Sequence, residues 1–187
     1  SNSTAKNSIL LGNNIDFASS NNMANAVSIG DYSRANTGAV AVGVTAQALG
    51  VDSIAIGRDA IATGSVATGA GSRAGNGGVA YGDGAVATFL GGSNIAGTVA
   101  GTALGQNAKA DVDAAVALGT NAVVSQANSV ALGSYSTTSQ ATPTANTTIN
   151  GVVYPFSGAN PKSVISVGSV GNERQIQNVA AGQIGSS

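Results

Sequence analysis

The chain has 187 residues, of which 8% are charged and 4% are aromatic, whereas about 25% of the residues in an ordinary soluble domain are charged. Cysteine and histidine are both absent, which excludes disulfides, thiol catalysis, the usual zinc ligand sets and histidine-based acid–base chemistry. Seven basic residues against eight acidic ones give no electrostatic basis for nucleic-acid binding, and no apolar run is long enough for a transmembrane helix. We therefore expect no cofactor, no metal, no nucleic acid and no membrane contact for this part of the chain.

A five-residue phrase recurs nine times: a small residue, an apolar residue, usually alanine, a second apolar residue, and glycine. The phrases end at Gly12, Gly30, Gly43, Gly57, Gly69, Gly82, Gly105, Gly119 and Gly133. Their successive separations are 18, 13, 14, 12, 13, 23, 14 and 14 residues. A period near 14 residues indicates one structural unit stacked on copies of itself, and this length fits a coil of two short strands and two turns.

The first strand of each coil precedes the glycine. The positions one and three residues before the glycine share one face, because side chains alternate along a strand. Large aliphatic residues dominate that face, and β-branched side chains favour a strand over a helix. The position between them is alanine in seven of the nine copies, so both faces are apolar and burial on both sides is predicted.

The second strand follows the glycine and carries small residues three and five positions on, such as Ala60 and Ala62. The position between them is more often polar, as at Gln47 and Arg73, and is expected to face solvent. This arrangement predicts a flattened parallel β-coil whose thin interior holds the small residues. The large aliphatic residues then point away from that interior, and such a long apolar stripe must be covered by other copies of the chain. Its expected interface residues in the clearest coils are Val40, Val42, Ile54, Ile56, Val116, Leu118, Val130 and Leu132.

Three interruptions break the period. Extra residues occur near Ser20–Asn22 and around Phe89–Asn94, and a longer segment follows Gly133. In that segment Asn150-Gly151 precedes an apolar run, which predicts an inserted hairpin or arm. Insertions in stacked repeats often form the binding face. Bulky side chains are rare elsewhere, so the candidate ligand contacts are Phe89, Leu90, Tyr154 and Phe156; packing of these residues on a neighbouring subunit is the alternative.

The end of the chain contains Gly171-Asn172-Glu173-Arg174-Gln175-Ile176, followed by Asn178-Val179-Ala180-Ala181-Gly182. The repeated phrases and this ending together resemble the head and neck of trimeric autotransporter adhesins of the YadA-like type. The resemblance covers about residues 8–184. It implies an all-β, left-handed parallel β-roll, three chains about one axis, and a neck leading to a coiled-coil stalk, with Ile176 and Val179 at the trimer interface. It also implies a bacterial cell-surface location, through an outer-membrane barrel beyond this chain.

The expected domains are a head at 1–138, an inserted loop or hairpin at 139–163, a neck with the start of the stalk at 164–184, and a vector-derived tail at 185–187. The resemblance implies a surface adhesin that attaches to an extracellular matrix protein, a host cell or an abiotic surface. The alternative is a non-binding spacer head within a longer fibre.

Other interpretations are weaker. A left-handed β-helix acyltransferase would show a hexapeptide repeat and a catalytic histidine, so no enzyme is expected. The Gly82-Asp83-Gly84 segment resembles a dinucleotide loop only in its glycines, since no βαβ unit surrounds it. Asp111 and Asp113 are expected in a solvated turn. Glu173 and Arg174 are expected to form an inter-chain ion pair or a cap, rather than to face a ligand.

Overall fold

The computed structural model describes residues 7–17, 24–87 and 101–180, and every regular element in those ranges is a β-strand. The strands wind into a parallel solenoid, as the period predicts. Within the same ranges, no helix is long and apolar enough to cross a bilayer.

The first sheet contains ten parallel strands from successive coils. They are β1 (Ile9–Leu11), β3 (Val27–Ile29), β5 (Val40–Val42), β7 (Ile54–Ile56), β9 (Val66–Thr68), β11 (Val79–Tyr81), β13 (Thr102–Leu104), β14 (Val116–Leu118), β15 (Val130–Leu132) and β18 (Ile165–Ser166). Equivalent phrase positions pair with each other, for example Val42 with Ile56. The register therefore stacks each side chain on its counterpart in the next coil.

The second sheet contains the six parallel strands β2 (Asp16–Phe17), β4 (Arg34–Ala35), β6 (Gln47–Ala48), β8 (Ile61–Thr63), β10 (Arg73–Gly75) and β12 (Val86–Ala87). Beyond β12 the ladder continues as single parallel bridges from Val86 through Lys109 and Val123 to Thr137. Each coil thus contributes one rung to each of two facing ladders.

The core between the ladders is thin because its side chains are small. Among the described residues, every buried apolar side chain is alanine except Val124, and the buried polar ones are six serines and Thr138. The serine hydroxyls are satisfied locally: Ser28 and Ser33 lie 2.8 Å apart (Oγ to Oγ), and Ser53 Oγ donates to Gly50 O at 2.8 Å. The predicted small-residue interior is confirmed.

The phrase-ending glycines form a column along one edge of the solenoid. Gly57 has φ 128°, and a Cβ there would stand 2.5 Å from the carbonyl oxygen of Gly69 in the next coil. Its amide donates to Val42 O of the preceding coil at 2.8 Å. Only glycine allows this close approach of backbone to backbone, which explains why the phrase ends as it does.

The hairpin consists of β16 (Asn146–Ile149) and β17 (Val152–Pro155), which pair antiparallel. Its turn residues Asn150 and Gly151 have φ 49° and 80°, as a two-residue hairpin turn requires. The chain then returns to the solenoid, where Ile165 pairs with Val130 and adds the tenth rung of the first sheet. The inserted segment, which contains the hairpin, thus connects Thr138 at the end of the second ladder to β18, the last strand of the first sheet.

Candidate functional site

The outer face of the first sheet is an apolar stripe, which we define as the residues one and three positions before each phrase-ending glycine. The alanines between them are fully buried, whereas the stripe residues are half-buried or exposed. Burial of this strand on both faces, predicted from its composition, is thus absent in the single chain: only the alanine face is covered. The stripe carries no charged residue in any of the nine coils.

The predicted interface residues of the head all lie on this stripe. Ile56 and Leu132 are exposed, and their companions Val40, Val42, Ile54, Val116, Leu118 and Val130 are half-buried. The remaining two, Ile176 and Val179, follow β18 and are each 69% exposed. The structure therefore places eight of the ten side chains on one continuous face, and the other two at the exposed end of the described chain.

Arg174 closes the glycine column at its C-terminal end. Its guanidinium donates from Nη1 to Val167 O at 2.7 Å and to Ser136 Oγ at 3.1 Å, and from Nη2 to Ser134 O at 2.6 Å. The Cζ atom lies 3.2 Å from the place that a Cβ on Gly133 would occupy. Arg174 thus stands where the glycine of a further coil would otherwise stack, which is a capping role within one chain.

Glu173 stabilises the turn that precedes Arg174. Its Oε1 accepts a hydrogen bond from the amide of Gly171 at 2.9 Å. Hydrogen bonds from the backbone amides of Gly171 and of Glu173 itself hold the pKa of the Glu173 carboxyl below its ordinary value, because they favour the charged form. Glu173 therefore holds its own turn, whereas Arg174 reaches from that turn to Val167 and to the coil that contains Ser134 and Ser136.

An open cleft of about 470 Å³ lies beside this cap. Its wall includes Ile165, Val170 and the Glu173–Arg174 pair, together with Thr137 at the end of the second ladder and Ser139, which follows it. Ile165 is 73% exposed and Val170 is 99% exposed. The cleft thus combines apolar side chains with the polar end of the solenoid.

The hairpin presents one apolar face. Cross-strand pairing places Ile149 with Val152 and Thr147 with Tyr154, and Phe156 N donates to Ala145 O at 2.9 Å. Ile149, Val152, Tyr154 and Phe156 therefore share one face, and all four are exposed. Ile149 and Val152 were not among the candidate contacts; the alternation of the hairpin strands in the sequence could have identified them. The other predicted contacts, Phe89 and Leu90, lie outside the described residues.

The lengthened connections share one topological position. The extra residues follow β2, β12 and Thr138, so each begins at the carboxyl end of a second-ladder segment and leads to a first-sheet strand. The turns at the glycine column keep their length throughout. Within residues 7–17, 24–87 and 101–180, no group of three or more Asp or Glu residues is placed to hold a metal ion.

The fold and these surfaces define a parallel β-solenoid with an uncovered sheet face and one insertion-bearing edge. The family model of the YadA head domain repeat (2 copies) matches residues 36–60, 99–122 and 113–136. The autotransporter adhesin BtaE of Brucella suis biovar 1 is 56% identical over 41 residues, which are 22% of this chain and 6% of that protein. This chain therefore spans a small part of its curated relative.

One solved structure is similar to nearly the whole chain. The collagen-binding domain of the Yersinia adhesin YadA is 27% identical, with a TM-score of 0.66 over 97% of this chain and 79% of that one. A C-terminal YadA-like domain from Burkholderia pseudomallei is 56% identical over 39% of this chain and 35% of its own, with a TM-score of 0.37. The repeat matches, the adhesin relative and the Yersinia structure together support a YadA-like head domain, as the repeated phrases indicate.

Proposed function

We propose that the chain is the head of a trimeric autotransporter adhesin, displayed on a bacterial surface, which attaches the cell to matrix, to other cells or to solid surfaces. The YadA head repeats and the likeness to the Yersinia adhesin domain over 97% of the chain carry this proposal. That relative's collagen binding makes an extracellular matrix protein the first ligand to test. The proposed role is attachment rather than catalysis.

The proposed assembly is a homotrimer closed through the apolar stripe. Full burial of each stripe side chain contributes about 1.5–3 kcal/mol, and a contiguous uncharged stripe over nine coils exceeds what a soluble monomer exposes. The neck residues Ile176 and Val179, exposed in the single chain, would meet their counterparts about the same axis. The proposed domains of each copy are a left-handed β-roll head at 1–138, an insertion at 139–163 and a neck at 164–184.

The proposed ligand contact is the apolar hairpin face. An isolated two-stranded hairpin is marginally stable in water, and this one pairs with no other strand of the described chain. Tyr154 and Phe156 lie together on it, and exposed aromatic side chains are the usual anchors of an interface. The regular coils expose single bulky side chains, such as Tyr32 and Tyr135, among small residues and scattered charges. The hairpin instead gathers four bulky side chains on one face, so it is the more distinctive surface.

The test compares the double variant Tyr154→Ser with Phe156→Ser against the control Tyr32→Ser. Tyr32 is at least as exposed as Tyr154 but lies in a turn at the glycine column. Multi-angle light scattering gives the assembly, and attachment to immobilised collagen, fibronectin, cells and plastic gives the activity. We expect trimers from all three proteins and loss of attachment only in the double variant. Trimers that attach to nothing in their parent form would instead identify a spacer head, and a stable folded monomer would contradict the assembly.

A further inference from the structure

The apolar stripe contains one polar belt. Six of its nine coils carry an aliphatic residue at both stripe positions, and the three remaining coils, which are consecutive, each carry one hydroxyl. These residues are Thr68 on β9, Tyr81 on β11 and Thr102 on β13. We refer to the three as the hydroxyl belt.

The strand register brings the belt together. Thr68 and Tyr81 are direct partners across β9 and β11, and Thr102 pairs with Val79, two residues before Tyr81 on the same face. The three side chains therefore form one patch on adjacent strands. Tyr81 is 60% exposed in the single chain, and the two threonines are half-buried.

Covering the stripe desolvates these hydroxyls. A hydroxyl moved from water into an apolar contact costs free energy unless it gains a hydrogen bond. All the other coils of the stripe offer aliphatic side chains alone, so only the belt of another copy supplies polar side-chain partners. The belts of two copies face each other only when equivalent coils have the same position along the solenoid axis.

A repetitive apolar stripe does not by itself determine which coil of one copy packs against which coil of the next. Successive coils are about 4.8 Å apart, and an aliphatic stripe packs almost equally well when a neighbour is displaced by one coil. A displaced contact does not close into a ring of three but leads to an open, staggered assembly. In coiled coils a single polar residue in the apolar seam sets register at some cost in stability.

We propose that the hydroxyl belt fixes the axial register between copies of this chain: Thr68, Tyr81 and Thr102 of one copy hydrogen-bond to the belts of its neighbours, directly or through water. The inference rests on the proposed trimer, whose interface it deepens. The partner is a second copy of this chain in the same orientation.

The test removes the hydroxyls without changing shape, in the triple variant Thr68→Val, Tyr81→Phe and Thr102→Val. The matched control is Tyr32→Phe with Thr137→Val, which removes hydroxyls from exposed residues away from the stripe. Because the chain has no cysteine, the single substitutions Leu118→Cys and Leu132→Cys, at direct partners in neighbouring coils, report register without background. Chains with either substitution are tagged differently, mixed, refolded and oxidised.

We expect the parent and the control to favour disulfides that join the same position in two copies. In the triple variant, disulfides between position 118 and position 132 should become more frequent relative to same-position disulfides. We expect this ratio to rise roughly fivefold or more, which corresponds to the free energy of about one hydrogen bond. Its melting temperature should be unchanged or higher, while Tyr81→Phe alone should lower it by leaving threonine hydroxyls unpaired. An unchanged disulfide ratio in intact trimers would overturn the belt's role. Monomers by light scattering, for the parent, would instead overturn the trimer itself.

Discussion

Each core residue of this solenoid is constrained because the two ladders approach closely. Ala55, Ala60 and Ala62 are fully buried, and the only larger apolar side chain in the described core is Val124. The interior is filled by methyl groups and small hydroxyls, with backbone on both sides. A core position therefore requires a small side chain, and it accepts either an apolar or a hydroxyl-bearing one.

This limit predicts the effect of enlargement. Ala62→Leu should lower the free energy of unfolding by about 1–3 kcal/mol, because the added atoms have no space between the ladders. Gln47→Ala, on the outer face of the neighbouring second-sheet strand, should change it by less than about 0.5 kcal/mol. Denaturant titration of both variants in the same oligomeric state measures the difference. Equal effects would contradict the packing of the coil.

Glu173 gives a pH-dependent prediction. Since its pKa is lowered in the folded chain, its stabilisation of the turn is fully present above the ordinary pKa of the carboxyl and is lost as the pH falls through the lowered value. The amide resonance of Gly171, which donates to Glu173 Oε1, should report this titration by NMR. Glu173→Gln should abolish the pH dependence. A midpoint at or above the ordinary value would show that these hydrogen bonds do not form in solution.

At the scale of the element, the last coil depends on a side chain from outside the repeat. Arg174 bonds to Ser134, Ser136 and Val167, and thereby ties the segment after β18 to the coil that contains β15. The preceding coils are joined by the backbone ladders and by side-chain hydrogen bonds such as Asn36 Nδ2 to Leu49 O at 2.9 Å and Ala70 N to Asp83 Oδ1 at 2.8 Å, whereas the Arg174 side chain alone donates three. The terminal rung is thus the one where a single side chain has most effect.

Arg174→Ala should therefore loosen the last rung. The Thr137 amide donates to Gly168 O at 2.9 Å, so its hydrogen exchange reports whether the segment is docked. We expect the free energy of local opening there to fall by about 1 kcal/mol. Arg58→Ala is the control, because Arg58 is exposed and its ion pair with Asp59, at 3.6 Å, adds little at the surface. Equal hydrogen-exchange rates of the Thr137 amide in the two variants would contradict the capping role of Arg174.

Most of the solenoid could be predicted from the sequence, because a strict phrase fixes the register. The positions of Ala55 and Ile56 on opposite faces follow from alternation, and the glycine period sets the length of each coil. A cap at Glu173 and Arg174 is one of the two roles expected from the sequence, but the acceptors of Arg174 could not be predicted, since Ser134 and Arg174 are brought together only after the inserted segment returns to the solenoid. The thinning of the second ladder to single bridges at Lys109 and Val123 has no signal in residue type either.

At the scale of the whole molecule, the stripe predicts the outcome of placing a charge on it. Ile56→Asp should prevent assembly, because a carboxylate would be buried without a partner in the contact between copies. Light scattering should show monomers or aggregates in place of the trimer. Arg73→Asp, on the outer face of the second sheet, is the matched control and should leave the assembly intact. Unchanged assembly of the Ile56 variant would mean that another face joins the copies.

The position of the hairpin has a mechanical consequence. The hairpin leaves the solenoid after β15 and rejoins it at β18, the last rung. A pull on the hairpin is therefore transmitted to the C-terminal end of the described chain through one rung and the Arg174 cap, and the coils from β1 to β14 carry no load. A pull on the N-terminal coil instead loads every rung in series. Force spectroscopy with attachment at either place should distinguish the two routes, since only the second can extend the chain coil by coil.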